Sequence, residues 1–226
     1  MGKTQSSGKC LQCGGVYAKP AMGRHLKTCK TLAGGSHQGE PGWRKAPVLH
    51  LRVEAGYDPD YWLHLFAPAD ATLKALDSFL RDIWLECCGH MSMFTIDGQR
   101  YVSGSARELG GKSMSISLSR VLQPGTKCEY EYDFGSTTHL TIKVISAREG
   151  EVQGKEIRLL AQNDPYAWQC ACGKPATQIC TYCMWEEENP FFCDECAEKH
   201  ECGDEGCLPV VNSPRMGVCG YTGGVW

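Results

Sequence analysis

The sequence lacks a long hydrophobic segment. No apolar run approaches the roughly 18 residues that a membrane-spanning helix requires, and the opening residues MGKTQSSGKC contain no apolar stretch typical of a secretion signal. Hydrophobic residues at 42% and charged residues at 22% are ordinary for a soluble globular protein. We therefore expect a cytoplasmic protein that does not bind a membrane.

Cysteine, by contrast, is abundant. The chain has 226 residues and 15 cysteines, most of them in two clusters near its ends. In a reducing compartment, clustered cysteines bind metal more often than they form disulfides. Thiolate and imidazole ligands in closely spaced pairs are typical of tetrahedral zinc sites. We therefore interpret both clusters as zinc-binding.

The first cluster has the spacing of a small zinc finger. Its ligands follow the pattern C-x2-C-x11-H-x3-C, which comprises Cys10, Cys13, His25 and Cys29. Tyr17 and Met22 stand about where a nucleic-acid-binding ββα finger keeps its small core. The pattern predicts a short hairpin and a helix, with zinc stabilising so small a unit.

The second cluster contains four pairs of ligands: Cys170 with Cys172, Cys180 with Cys183, Cys193 with Cys196, and His200 with Cys202. If alternate pairs combine, as in cross-brace modules, the first and third pairs bind one zinc and the second and fourth another. Sequential pairing is the alternative, and Cys207 is an alternative to Cys202. Four protein ligands leave no position for a catalytic water. With the finger, the pattern predicts about three structural zinc ions and no catalytic or cofactor-binding residues.

Composition divides the chain into four segments. We predict a CCHC-type finger at residues 1–30, a Gly/Pro-rich linker at 31–47, a globular domain at 48–165 and a cysteine-rich zinc module at 166–226.

The globular domain shows one helical pattern among several strand patterns. Its predicted helix has an apolar face made by Leu73, Leu76, Leu80, Ile83, Trp84 and Cys87, with Asp70 or Thr72 as the N-cap and Gly89 past the end. Asp97-Gly98 predicts a hairpin turn. Because the strands do not alternate with further helices, we predict an α+β fold with a mostly antiparallel sheet.

One group of residues suggests an enzyme. Cys87-Cys88-Gly89-His90 places a thiol near a histidine, although Cys87 fits the apolar helix face better. If His90, Asp133 and His139 converge, they form a polar site with catalytic potential. A structural hydrogen-bond network is the alternative interpretation.

Charge is distributed unevenly along the chain. Residues 1–48 carry eight Lys/Arg and one acid, whereas residues 166–226 carry three Lys/Arg and nine acids. The basic finger therefore suits nonspecific, salt-sensitive contact with nucleic acid. In a DNA-reading finger the base-contacting positions correspond to Ala18, Ala21 and Arg24, of which only Arg24 can donate to a base edge.

The middle of the chain resembles a known family. The stretch from Trp62 to about Gly150 includes WLHLFAPADATL, LDSFLRDIW, ECCGHMSMFTIDGQRY and YEYDFG. These pieces resemble the plasmid pRi ORF-3-like family of small α+β proteins. Some members have an acidic and aromatic stretch after DFG, where this chain has Ser136-Thr137-Thr138. The resemblance implies no established activity, and only an associational link to mobile elements and DNA transactions.

These observations favour a non-enzymatic adaptor with protein as its partner. The second hypothesis is a nucleic-acid-associated protein, linked to plasmids or mobile elements, that uses the basic finger. The third is an enzyme acting at His90, Asp133 and His139.

Overall fold

The computed structural model describes residues 6–29, 41–105, 108, 110–186 and 189–224. Most of the predicted linker lies outside these residues. The chain forms two compact units, the first within Met1–Phe79 and Met91–Asp164, the second within Leu80–His90 and Pro165–Trp226. Among the described residues, no helix combines the length and apolarity needed to cross a membrane.

The first unit is built on a ten-stranded sheet. Its strands are β1 Ser7–Cys10, β2 Val16–Ala18, β3 Trp43–Ala55, β4 Trp62–Pro68, β5 Ser92–Ile96, β6 Gln99–Val102, β7 Lys112–Ser113, β8 Lys127–Tyr132, β9 Thr138–Gln153 and β10 Arg158–Asn163. Their order across the sheet is β2-β1-β10-β4-β3-β9-β8-β5-β6-β7. All neighbours are antiparallel except β6 and β7. The predicted α+β class with a mostly antiparallel sheet is confirmed.

Long strands form the centre of this sheet. Strand β3 begins at Trp43, so residues 43–47, which we assigned to the linker, lie in a strand and pair with the far end of β9. The turn at Asp97 and Gly98 joins β5 to β6 as predicted, with φ of 47° and 76°. Such left-handed conformations at both turn residues match the twist of a two-residue hairpin.

The predicted amphipathic helix is shorter than its apolar pattern. Helix α2 spans Leu73–Leu80, and the Thr72 hydroxyl caps it by accepting a hydrogen bond from the Ala75 N–H at 3.1 Å. A single π-helical turn, Arg81–Leu85, follows. The backbone becomes extended at Glu86, so our placement of Cys87 on the apolar helix face is wrong.

The finger contributes to the same sheet. Its β2 is the edge strand, β1 lies between β2 and β10, and helix α1 (Lys19–Thr28) follows β2. The helix buries Met22 and Leu26 in a cluster that also contains Val48, Trp62 and Phe66 from the central strands. All seven residues of β4 are buried, as expected for a strand covered on both faces.

The second unit is small and rich in turns. Its three-stranded antiparallel sheet has the order β12-β11-β13, formed by β11 Gln178–Cys180, β12 Phe191–Phe192 and β13 Cys207–Pro209. Helix α3, Asp194–Ala197, and short 3-10 turns at Cys183–Trp185 and Asp204–Gly206 complete it. The predicted metal ligands stand in or beside most of these short elements, an arrangement typical of small zinc-stabilised units.

Candidate metal centres

The finger residues predicted to bind zinc converge. The ligand atoms of Cys10, Cys13, His25 and Cys29 all lie within 4.8 Å of one another. The Cys13 Sγ is 3.3 Å from the His25 Nε2. A tight turn between the two cysteines is closed by the Gly14 N–H, which donates to the Cys10 carbonyl at 2.8 Å, and Gly14 adopts φ 75°. We call these four residues the finger set.

A ring contact orients the histidine of the finger set. Tyr17 stacks on His25 with ring centroids 4.0 Å apart and an interplanar angle of 19°. His25 projects from helix α1, while Tyr17 lies on β2. This contact fixes the imidazole ring beside Cys13, which is the kind of support that metal-ligating histidines need.

The eight predicted ligands of the second cluster form two groups. Cys170, Cys172, Cys193 and Cys196 make one, here called the four-cysteine set; Cys180, Cys183, His200 and Cys202 make the other, the Cys3His set. The first pair is therefore grouped with the third and the second with the fourth, which is the alternate arrangement. Sequential pairing would need the first two pairs in one group.

Distances within both groups suit a tetrahedral metal. The Cys172 and Cys193 sulfur atoms are 3.7 Å apart, and those of Cys183 and Cys202 are 3.8 Å apart. Two thiolates that each bind zinc at about 2.3 Å with tetrahedral angles are separated by roughly 3.8 Å. The Cys183 Sγ lies 3.2 Å from the His200 Nε2. Cys207 is outside the group, with its sulfur 3.9 Å from the Gly203 carbonyl.

Hydrogen bonds shift the pKa values of two cysteines in the four-cysteine set in opposite directions. Hydrogen bonds from the backbone N–H groups of Cys172 and Cys193 lower the pKa of Cys170 to about 6. Hydrogen bonding to Cys193 raises the pKa of Cys196 to about 12. Adjacent thiolates repel each other, and a divalent cation replaces that repulsion with attraction. The four-cysteine set therefore has the chemistry of a cation site.

The proposed catalytic residues have separate partners. The His139 Nδ1 lies 3.4 Å from a Glu131 carboxylate oxygen. Asp133, at φ 64°, accepts a hydrogen bond from the Gly135 N–H at 3.0 Å in a local turn. The His90 Nε2 lies 2.9 Å from the Cys88 Sγ. Each side chain therefore has a structural explanation of its own.

A fourth group of ligand-type residues escaped the sequence interpretation. Cys87, Cys88, His90 and Cys219 have their ligand atoms within 4.8 Å of one another. We call them the fourth set, and all four residues belong to the second unit. The available signals were two adjacent cysteines, a histidine two residues later and an unassigned Cys219, but no local pattern connects Cys219 to the other three.

The base-reading positions of the finger are largely open to solvent. Helix α1 begins at Lys19, so Ala18 precedes its first residue. Ala18 and Arg24 are exposed, and Ala21 is half-buried. Lys19 itself is paired with Glu54 at 2.5 Å. The exposed cations of the finger include Lys9, Arg24 and Lys27, which are the side chains able to contact a nucleic-acid backbone.

Comparison with known proteins identifies the middle of the chain. The family model for the plasmid pRiA4b ORF-3-like protein matches residues 47–165. The chain belongs to the plasmid pRiA4b ORF-3-like family. The resemblance inferred from the sequence is thereby confirmed.

Comparisons with solved structures and with curated proteins add little to this assignment. Part of the chain is similar to the crystal structure of a protein of unknown function, MM3350 from Methanosarcina mazei Go1. The two are 17% identical with a TM-score of 0.45, and the match covers 51% of this chain and 68% of that one. No curated protein matches the chain.

Proposed function

We propose that this plasmid pRiA4b ORF-3-like protein is a non-enzymatic adaptor whose folded modules are organised by structural zinc. The observation that carries the proposal is the composition of the three predicted sets. Each supplies four protein ligands, and a zinc ion with four protein ligands has no position for a water or substrate. Because thiolate ligands must stay reduced, we also propose a cytoplasmic location.

The cysteine-rich unit offers a surface suited to a protein partner. Tyr182 lies between two ligands of the Cys3His set and is 63% exposed, and Trp185, in the next turn, is 77% exposed. Large aromatic side chains held on a rigid support are typical anchors of protein interfaces. The ring of Tyr182 packs over Gly206, where a Cβ would lie 2.6 Å from it, so its position is constrained.

Charge indicates the kind of partner. Within residues 166–226, the nine acids outnumber the three bases; of those bases, Arg215 is buried and Lys174 pairs with Glu195 at 2.8 Å. An acidic unit that carries exposed aromatic anchors favours a partner segment that combines an apolar side chain with Lys or Arg. We therefore propose a basic protein segment as the ligand of Tyr182 and Trp185.

Affinity purification with matched variants tests the adaptor function. The tagged full chain is compared with a Tyr182→Ala/Trp185→Ala double variant and with Tyr57→Ala as the control, since Tyr57 is 83% exposed in the other unit. We expect one partner that is lost with the double variant only. Zinc content must be equal in all three proteins, so that loss of binding is not loss of folding.

The binary complex then has to form from purified components. A partner identified in this way should bind the wild-type chain in isothermal titration and bind the double variant at least about tenfold more weakly, since an aromatic anchor contributes more than 1 kcal/mol. Equal recovery of every co-purified protein with all three chains would contradict the proposal.

Nucleic-acid binding is a second candidate, supported by the exposed Arg24 and Lys27 on helix α1. Contact through these side chains would be electrostatic and insensitive to sequence. Fluorescence anisotropy with unrelated duplexes and single strands across a salt series tests it. Lys27→Gln should lower both the affinity and the salt dependence. Absence of binding at low salt would eliminate this candidate and leave the protein partner.

A further inference from the structure

The geometry points to a fourth zinc site, formed by Cys87, Cys88, His90 and Cys219, that joins two distant segments of the second unit. This site is independent of the three sets on which the proposed function rests. Its ligands are three thiols and one imidazole, the same composition as in the finger set and the Cys3His set. Zinc is the metal that this soft tetrahedral donor set favours.

Distances within the fourth set match those of the other sets. The Cys88 Sγ lies 3.8 Å from both the Cys87 and the Cys219 sulfur atoms. The His90 Nε2 is 2.9 Å from the Cys88 Sγ and 3.2 Å from the Cys219 Sγ. A disulfide would bring two sulfur atoms to about 2.05 Å, whereas tetrahedral zinc separates two thiolates by roughly 3.8 Å.

Backbone turns bring the ligand atoms of the fourth set together. Gly89 adopts φ 79°, and its N–H donates to the Glu86 carboxylate at 2.6 Å, which closes a turn around Cys87 and Cys88 just before His90. Cys219 itself has φ 51°. A left-handed conformation is uncommon for a residue other than glycine, asparagine or aspartate, and such strain is concentrated at functional positions. Metal ligation gives a reason for the strained position of Cys219.

A buried cation balances the charge of the site. Arg215 has 0% exposure, and its guanidinium donates to the Cys87 Sγ at 3.6 Å. Three thiolates, one neutral imidazole and Zn²⁺ carry a net charge of −1, and a buried guanidinium requires an anionic neighbour. Arg215 thus acts as a second-layer hydrogen-bond donor to a ligand, as is common around zinc sites.

The site would link segments that are far apart in sequence. His90 and Cys219 are separated by 129 positions. The same two segments are also connected by the Ser213 hydroxyl, which donates to the Trp84 carbonyl at 2.6 Å. A cross-link between distant positions removes conformational entropy from the unfolded chain. The fourth zinc therefore cross-links the segment Leu80–His90 to the C-terminal residues and stabilises the second unit.

Cysteine alkylation of the wild-type full chain tests the site without altering it. Cys88 and Cys219 are exposed, so unligated thiols there should react quickly with iodoacetamide. The zinc-loaded protein and an EDTA-treated sample are labelled for equal times and analysed by peptide mapping. We expect Cys88 and Cys219 to be protected in the zinc-loaded protein, to the same degree as the exposed Cys172 and Cys202, and to react after chelation.

Metal content of two variants provides the second measurement. Cys219→Ser should lower the bound zinc from four ions to three, one for each remaining set. Cys207→Ser is the matched control, because Cys207 belongs to none of the sets, and it should retain all four. If Cys219→Ser does not fold, the alkylation result decides. Rapid alkylation of Cys88 and Cys219 in the zinc-loaded protein, or a Cys88–Cys219 disulfide in the unreduced peptide map, would overturn the proposal.

Discussion

The His50 Nε2 lies 2.8 Å from the His64 Nδ1, on neighbouring strands under the finger helix. A Cβ on Gly23 of that helix would be 3.7 Å from the His64 ring. Burial is the main cause that lowers the pKa of His50 to about 4 and that of His64 to about 3. At neutral pH both rings are uncharged, and one donates a hydrogen bond to the other.

This pair predicts a loss of stability on acidification. Both pKa values are lower in the folded than in the unfolded protein, so below the ordinary value of 6.5 the unfolded chain takes up protons first. The stabilisation is complete above that pH and is lost as pH falls toward the folded values. Each histidine should then contribute a loss of roughly 1 kcal/mol per pH unit.

Comparing variants isolates this effect from acid release of zinc. Urea unfolding of the wild type and of His50→Gln, followed at pH 7.5 and pH 5.5, should show a smaller acid destabilisation in the variant. His139→Gln, which changes a more exposed histidine paired with Glu131, is the control and should behave like the wild type. Identical pH dependence in all three would contradict the prediction.

A substitution at Gly8 tests how much the pairing of β1 with β10 stabilises the first unit. A Cβ at this position would lie 2.2 Å from the Gln162 carbonyl oxygen and 2.5 Å from the Trp62 ring. Gly8→Ala should therefore disrupt the pairing of β1 with β10 and destabilise the first unit by about 1–3 kcal/mol. Thermal unfolding and hydrogen exchange of β10 amides measure the loss.

A second glycine in the finger provides the control for this substitution. Gly23→Ala places its Cβ in ordinary contact with His64, 3.7 Å away. Since alanine favours helix over glycine by about 1 kcal/mol, this variant should be neutral or more stable. Equal stability of Gly8→Ala and the wild type would show that the finger does not depend on the strand pairing.

The Cys3His set predicts different outcomes for two nearby cysteines. Cys202→Ser removes a sulfur located 3.8 Å from the Cys183 Sγ and should release one zinc ion. Cys207→Ser should retain it, because its sulfur is outside the group. A structural zinc contributes roughly 10 kcal/mol in small fingers, so Cys202→Ser should unfold the cysteine-rich unit.

Limited proteolysis combined with zinc analysis distinguishes these variants. Rapid digestion of residues 165–226 in Cys202→Ser, with the first unit intact, is the expected result. Cys183→Ser should give the same pattern. Loss of zinc from Cys207→Ser but not from Cys202→Ser would mean that the last ligand is misassigned.

Local sequence patterns indicated which Cys and His side chains lie together where these residues are close in the chain. The finger set spans Cys10 to Cys29, so a hairpin and one helix are enough to assemble it. The antiparallel sheet was predictable for the same reason, since alternation within each strand reports its buried face. The family resemblance rested on short continuous pieces of sequence.

Those local patterns could not predict which distant segments of the chain pair or pack together. Nothing in SGKC indicated that β1 pairs with β10, whose residues lie more than 150 positions away. Cys87 continued the apolar spacing of helix α2, but the chain leaves the helix after the π turn, where the Glu86 N–H donates to the Arg81 carbonyl. The fourth set was missed because Cys219 is distant from its three companions.

Zinc stoichiometry of the full chain tests the central claim most directly. Protein purified under reducing conditions without chelators is analysed by native mass spectrometry and by elemental analysis. The four sets predict four zinc ions per chain, with no disulfide among the fifteen cysteines. One zinc ion or none, together with cysteines oxidised in pairs, would contradict the account.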